Sequence, residues 1–124
     1  MTAEERLAQA WALLDRADEA TAGLWPRAAA LLARQALEQT IYDFWSVELP
    51  PMCAANMRAQ ILGLHGYPGV REHAPAVNAA WFGLSRGCHH HPYELPPIRA
   101  ELAGWFEIVD EFGAVVRREL MRPR

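Results

Sequence analysis

Eight consecutive residues in the C-terminal half hold the densest group of chemically reactive side chains in the protein. They span 86–93 and read Arg-Gly-Cys-His-His-His-Pro-Tyr. An arginine binds phosphate through a planar, permanently charged fork, and a histidine titrates near neutral pH, so it can take or give a proton. These two side chain types together suffice for metal-independent RNA cleavage, in which the ribose 2′-hydroxyl attacks the neighbouring phosphate.

Two other kinds of chemistry are open to the same stretch. Cys88 and the three histidines, His89, His90 and His91, are all good zinc ligands. Adjacent histidines do not easily converge on one ion, however, and the sequence has no second ligand cluster to close a zinc site, so we expect no metal or other cofactor. The third interpretation is structural: His89 and His90 cap a helix end, and Cys88 continues an apolar stripe as a small core residue.

Composition and charge narrow the class of protein. The 124 residues are 52% apolar and 22% charged, which predicts a single globular domain over 1–124. The net charge of -3 excludes a general nucleic-acid coat protein but allows a small, locally basic site. The polar N-terminus is unlike a signal peptide, and no apolar run approaches the ~20 residues of a membrane span. We therefore expect a cytoplasmic protein with no membrane contact.

The segments that must position the reactive stretch have apolar residues spaced three and four apart, which predicts an all-α fold. The expected helices are bounded by typical start and stop residues. A Thr2–Glu5 capping box precedes a first helix over about 3–20, and Pro26 lies at the start of a second helix that ends at Pro50. Pro96 precedes the last helix. A short helix follows Pro51, and Pro75 either kinks the next long helix or marks its start. We predict a four-helix up-and-down bundle with a short accessory helix.

Charged residues on two of these helices bear on the site. Arg34 and Glu38 lie four apart, the spacing of an intrahelical ion pair, and form either a partly solvated pair or part of the site lining. Phe82 and Arg86 share a second face of the helix that precedes the histidines. We therefore expect that face to be covered by a neighbouring helix or by a second subunit.

The arrangement of arginine, four residues, histidine, one residue and tyrosine, at Arg86, His91 and Tyr93, resembles the signature of HEPN-domain ribonucleases. The resemblance is strongest to the toxins of that family that are paired with minimal nucleotidyltransferase antitoxins. The motif also resembles that of the family in its position before the last helix. The segment 34–38 is similar to part of the second helix of the family.

The resemblance implies a HEPN-like fold and a homodimer whose two motifs face each other across a cleft. It implies that Arg86 engages the scissile phosphate and that His91 is the acid or base, with His90 as the alternative at one residue's shorter spacing. His89, His90 and Glu38 become auxiliary or substrate-binding residues. Tyr93 becomes the residue to which the antitoxin attaches AMP.

Two functions from different classes follow from these residues. The first is a metal-independent endoribonuclease, a toxin or defence component that acts on RNA as a homodimer. The alternative is a non-catalytic helical module that dimerises or binds a nucleotide or a protein partner. The net acidity favours the alternative, and so does Gly87, which stands where the family often has a polar residue, commonly asparagine.

Overall fold

The computed structural model describes residues 1–15, 25–89 and 97–123, and 86% of these residues are helical. The five α-helices are α1 (Ala3–Asp15), α2 (Trp25–Glu48), α3 (Met57–Gly63), α4 (Ala74–Cys88) and α5 (Arg99–Leu120). Short 3₁₀ turns at Pro50–Ala54, Leu64–Gly66 and Arg71–His73 join α2 to α3 and α3 to α4. No strand occurs among the described residues, which confirms the predicted all-α class.

The helix starts follow from local sequence. The Thr2 hydroxyl accepts a hydrogen bond from the Glu5 amide at 3.0 Å, as the capping-box spacing predicts. The Asn56 side chain caps α3 in the same way, accepting from the Ala59 amide at 2.8 Å. Pro75 lies in the first turn of α4, where its missing amide hydrogen leaves no bond unmade. Pro75 therefore marks the start of α4 rather than a kink within it.

The centre of the fold is α2, which contacts α1, α4 and α5. Its buried residues include four alanines, and such small side chains let neighbouring helices approach closely: Ala29, Ala30, Ala33 and Ala36. The core around them is filled by large, fully buried aromatic side chains, among them Trp45, Phe44, Phe106 and Phe112. The buried apolar residues described form one cluster that α1, α2, α4 and α5 share.

Two ion pairs show that α1 and α5 run antiparallel. Arg117, near the end of α5, lies 3.0 Å from Glu4 at the start of α1, and Arg99, at the start of α5, lies 3.1 Å from Asp15 at the end of α1. Both pairs are exposed, so each contributes little to stability beyond marking this geometry. In the described part of the chain, no helix combines the length and the apolar character that crossing a membrane requires.

Candidate functional site

The candidate site begins at the C-terminal end of α4. Arg86 is exposed in the last turn of this helix, and His89 is its exposed C-cap residue. The His89 amide donates to the Arg86 carbonyl oxygen at 3.3 Å and so closes the last turn of α4. His90, His91 and Tyr93 lie outside the described residues. The pairing of Arg86 with His91 therefore stays a prediction.

A set of polar contacts joins α2 to α4 next to this end. Trp81 Nε1 donates to Glu38 Oε2 at 3.2 Å, and Arg34 Nη1 donates to Cys88 Sγ at 3.1 Å. Arg34 Nε lies 3.8 Å from Glu38 Oε1, within ion-pair range but beyond hydrogen-bond distance. We call these four residues the α2–α4 bridge. The ion pair predicted from the four-residue spacing is thus present, and it is part of a contact between helices.

The α2–α4 bridge also fixes how α4 lies on α2. Arg34 bonds to the last residue of α4, whereas Glu38, one turn further along α2, bonds to a residue two turns earlier in α4. The two helices therefore run antiparallel with a defined register. Both side chains on α2 are largely covered, with Arg34 24% and Glu38 32% exposed, so solvent screens their interaction less than it screens the pairs on α1 and α5.

Arg86 belongs to another side of α4. Residues 82, 86 and 89 follow one another at four- and three-residue spacing, which places them on one helix face. All three are exposed, and we call them the outer face of α4: Phe82, Arg86 and His89. Trp81 and Cys88 lie on the flank that meets α2. Glu38 therefore contacts α4 on the flank occupied by Trp81, while Arg86 projects from the outer face.

The outer face is partly covered by a neighbouring helix, one of the two outcomes expected from the sequence. The guanidinium carbon of Arg58, on α3, lies 5.8 Å from the centroid of the Phe82 ring, within cation–π range. The Trp81 and Phe82 rings meet edge to face, with centroids 5.6 Å apart. Phe82 nevertheless remains 43% exposed. The ring is thus held by two neighbours within the chain and still presents surface to solvent.

Gly87, directly after Arg86, is buried next to Ala30 of α2 and Pro97. A Cβ atom at this position would lie 3.2 Å from the Ala30 Cβ and 3.2 Å from the Pro97 Cγ. The packing on two sides therefore favours glycine at this position. A polar side chain at this position would begin between these two apolar neighbours, away from polar partners.

The thiols and potential metal ligands give no support to a zinc site in the described part of the chain. Cys53 and Cys88 are both free thiols. Cys88 packs against the core, as predicted, and in addition accepts the bond from Arg34. The described residues include no group of three or more side chains placed to hold a metal ion. Two of the four ligands considered for zinc, His90 and His91, lie outside these residues.

Two residues at the site have roles that were not predicted from the sequence. Trp81 fits the apolar stripe of α4 and is expected in the core, yet its indole nitrogen holds the Glu38 carboxylate. Arg58 carries the only charge in the seven residues of α3, and that isolated charge is the one sequence signal that singles it out. Its partner, Phe82, follows 24 residues later, beyond the range of any helical spacing rule.

Comparison of the chain with protein families, with curated proteins and with solved structures gave no significant match. The case for a function therefore depends on the residues and contacts described above.

Proposed function

We propose that this protein is a metal-independent endoribonuclease of the HEPN type, acting in the cytoplasm as a toxin or defence component. The observation that carries the proposal is the position of Arg86, exposed in the last turn of α4 and three residues before the histidine run begins. A phosphate bound by Arg86 would lie at the helix end from which the histidines continue. An arginine and a titrating imidazole so close in sequence are the two groups that cleavage through the ribose 2′-hydroxyl requires.

The arrangement of helices supports a HEPN-like four-helix up-and-down bundle over 1–124. The four longest helices contact one another as α1 with α2, α2 with α4, α4 with α5 and α5 with α1, and α2 also contacts α5. The ion pairs of α1 with α5, and the bridge of α2 with α4, join antiparallel neighbours. The seven-residue α3 then corresponds to the short accessory helix.

The roles in the reaction follow from the chemistry of each group. His91, or His90 in its place, takes the proton from the 2′-hydroxyl, and the oxygen then forms a bond to phosphorus. The bond from phosphorus to the 5′-oxygen breaks, and that oxygen receives a proton from a second histidine, which leaves a 2′,3′-cyclic phosphate and a 5′-hydroxyl. Arg86 stabilises the negative charge that develops on the phosphate oxygens. His89 supplies a further donor at the same helix end.

The proposal includes a homodimer in which two copies of this helix end form one RNA-binding cleft. The exposed outer face of α4 supports this arrangement, because a group that must reach a shared cleft has to lie on the surface. It also includes a nucleotidyltransferase antitoxin that attaches AMP to Tyr93. The added phosphate would place negative charge beside Arg86 and so exclude the substrate.

The test is RNA cleavage in the presence of a chelator, comparing the wild type with the Arg86→Ala and His91→Ala variants. Arg118→Ala, which removes an exposed arginine near the end of α5, is the matched control. We expect cleavage by the wild type and the control, products ending in a 2′,3′-cyclic phosphate, and a loss of at least 100-fold in each site variant. Equal activity in all four proteins would remove the catalytic claim.

A binding module is the second candidate, and the packing of Gly87 favours it. The buried glycine leaves no polar side chain where many HEPN ribonucleases carry one. This candidate predicts that no RNA is cleaved under any condition tested. It also predicts that a nucleotide or protein partner still binds, and that Arg86→Ala weakens the binding.

A further inference from the structure

Arg58, Phe82 and Arg86 form a strip of surface that crosses from α3 to the end of α4, which we call the Arg–Phe strip. The guanidinium carbon of Arg58 lies 5.8 Å from the Phe82 centroid. Arg86 follows Phe82 by one helical turn, a rise of about 6 Å along the axis. All three residues are exposed. The strip therefore combines an aromatic ring with two permanently charged side chains, one over the ring and one a helical turn further along α4.

The ring of Phe82 is held in place rather than loosely exposed. Trp81 packs edge to face against it, with an interplanar angle of 78°, and Arg58 lies over it. Phe82 is 43% exposed, so covering its ring with a ligand would remove apolar surface from water. Because the ring is already oriented, it would lose little conformational entropy when a flat ligand stacks on it.

The charge of this part of the chain differs from that of the whole. Segment 57–89 contains three arginines, Arg58, Arg71 and Arg86, and a single carboxylate, Glu72, so its formal charge is +3 − 1 = +2 with histidine neutral. The full chain carries -3, so the remaining residues together carry -5. The strip is thus the surface of a locally basic segment in an acidic protein, which is the electrostatic condition for attracting a polyanion.

We infer that the Arg–Phe strip is a subsite for single-stranded RNA, where an unpaired base stacks on the face of Phe82 opposite Arg58 and the flanking phosphates bind Arg58 and Arg86. The inference rests on the proposed function, since it extends the same site from the end of α4 towards α3. Base stacking on aromatic rings and phosphate contacts from arginine are the two interactions by which proteins bind single strands without reading sequence. Bases within a duplex are already stacked, so the ring would select unpaired RNA.

Charge favours RNA over a second copy of this protein as the occupant of the strip. A two-fold contact made directly through this surface would bring the arginines of one copy close to those of the other, and like charges that face each other weaken association. An RNA strand lying between two such surfaces would neutralise both. The strip is therefore compatible with a dimeric cleft that holds RNA. It is unfavourable as a direct contact between two subunits without RNA.

The experiment measures binding of a short 2′-O-methyl oligoribonucleotide by fluorescence anisotropy, because this probe has no free 2′-hydroxyl and cannot be cleaved by the proposed route. Phe82→Leu keeps an apolar side chain but removes the aromatic face, and Phe82→Trp keeps a stacking ring. We expect the leucine variant to bind the single strand roughly 5- to 100-fold more weakly and the tryptophan variant to retain binding. Tyr42→Ala, an exposed aromatic on α2, is the matched control and should bind like the wild type.

The salt dependence of binding tests the role of Arg58 separately. Each phosphate contact on a single strand contributes about 0.7 to the slope of the logarithm of affinity against the logarithm of salt concentration. Arg58→Ala should therefore lower the slope by about 0.7, whereas Phe82→Leu should leave it unchanged. The same oligonucleotide annealed to its complement should bind more weakly than the single strand and should not respond to Phe82→Leu.

The outcomes separate this inference from the proposed function. If Phe82→Leu leaves binding of the single strand unchanged while His91→Ala abolishes cleavage, the subsite is refuted and the ribonuclease stands. If no RNA is cleaved but Phe82→Leu still weakens binding, the subsite stands and the catalytic proposal fails. If Phe82→Leu converts a dimer to monomers in light scattering, the ring belongs to a subunit interface and the subsite is refuted.

Discussion

Replacing Gly87 tests whether packing, rather than the chemistry of the site, accounts for the glycine after Arg86. An added Cβ would lie 3.2 Å from the Ala30 Cβ and from the Pro97 Cγ, closer than nine in ten observed contacts of this kind. Neither neighbour can turn away by changing a rotamer, because one is a methyl group fixed to α2 and the other is a proline ring. The backbone at Ala30, Gly87 or Pro97 must therefore shift by a few tenths of an ångström, at a cost of about 1–3 kcal/mol.

Helix propensity offsets part of this packing cost. Alanine is favoured over glycine by about 1 kcal/mol in a helix interior, and by less at position 87 because it is the penultimate residue of α4. Gly87→Ala should therefore lower the free energy of unfolding by roughly 0.5–2.5 kcal/mol. Gly87→Asn gains less propensity and also buries an amide against apolar neighbours, so we expect a loss of roughly 2–4 kcal/mol. At about 3–5 °C per kcal/mol, the loss expected for Gly87→Asn corresponds to a fall in Tm of roughly 6–20 °C.

The assay is urea unfolding followed by far-UV circular dichroism, with Gly104→Ala as the matched control. Gly104 is an exposed glycine within α5, and no atom of another part of the protein lies within 4 Å of its Cβ position. The control should therefore gain up to about 1 kcal/mol. If Gly87→Ala is as stabilising as Gly104→Ala, then the neighbours of Gly87 yield freely and the packing explanation is wrong.

A second check is Ala30→Gly, which should lower the free energy of unfolding by less in the Gly87→Ala protein than in the wild type.

Two further predictions concern the bridge and the core. Trp81→Phe removes the indole donor to Glu38 and keeps an aromatic ring, so it should lower the free energy of unfolding by about 1 kcal/mol in urea unfolding, and by less in a Glu38→Ala background, which has no acceptor. Equal losses in both backgrounds would show that the two side chains do not act together. Phe106→Ala empties a fully buried site that faces Trp11 at 5.2 Å, so it should cost about 3–5 kcal/mol by the same measurement. A loss below 1 kcal/mol would mean that Phe106 is not in the core.

The helical segments could be predicted because the evidence for them is local. Apolar spacing of three and four residues, the Thr2–Glu5 cap and the placement of prolines are all read within a few neighbouring residues, and the structure has helices in each of these places. The Arg34–Glu38 pair was predictable for the same reason, since both residues lie on one face of one helix.

The contacts that shape the site were not predictable because they join distant parts of the chain. Trp81 and Glu38 are 43 residues apart, and Arg34 and Cys88 are 54 apart. Whether these side chains meet depends on how far α4 is rotated and shifted against α2, and no periodicity in either helix encodes that. Gly87 illustrates the same limit, because its environment depends on two neighbours, Ala30 and Pro97, that belong to other elements.

The contacts between α2 and α4 give Glu38 a structural role beside Arg34. Three residues one turn apart on α2 contact the region of α4 around Arg86: Ala30 meets Gly87, Arg34 bonds to Cys88, and Glu38 bonds to Trp81. The two residues that follow Arg86 are therefore both anchored, although Arg86 itself is exposed. A phosphate-binding side chain is most effective on a rigid element whose neighbours are fixed. We therefore propose that Glu38 is a positioning residue of the proposed site: it holds α4, the helix that carries Arg86, through its bond to Trp81.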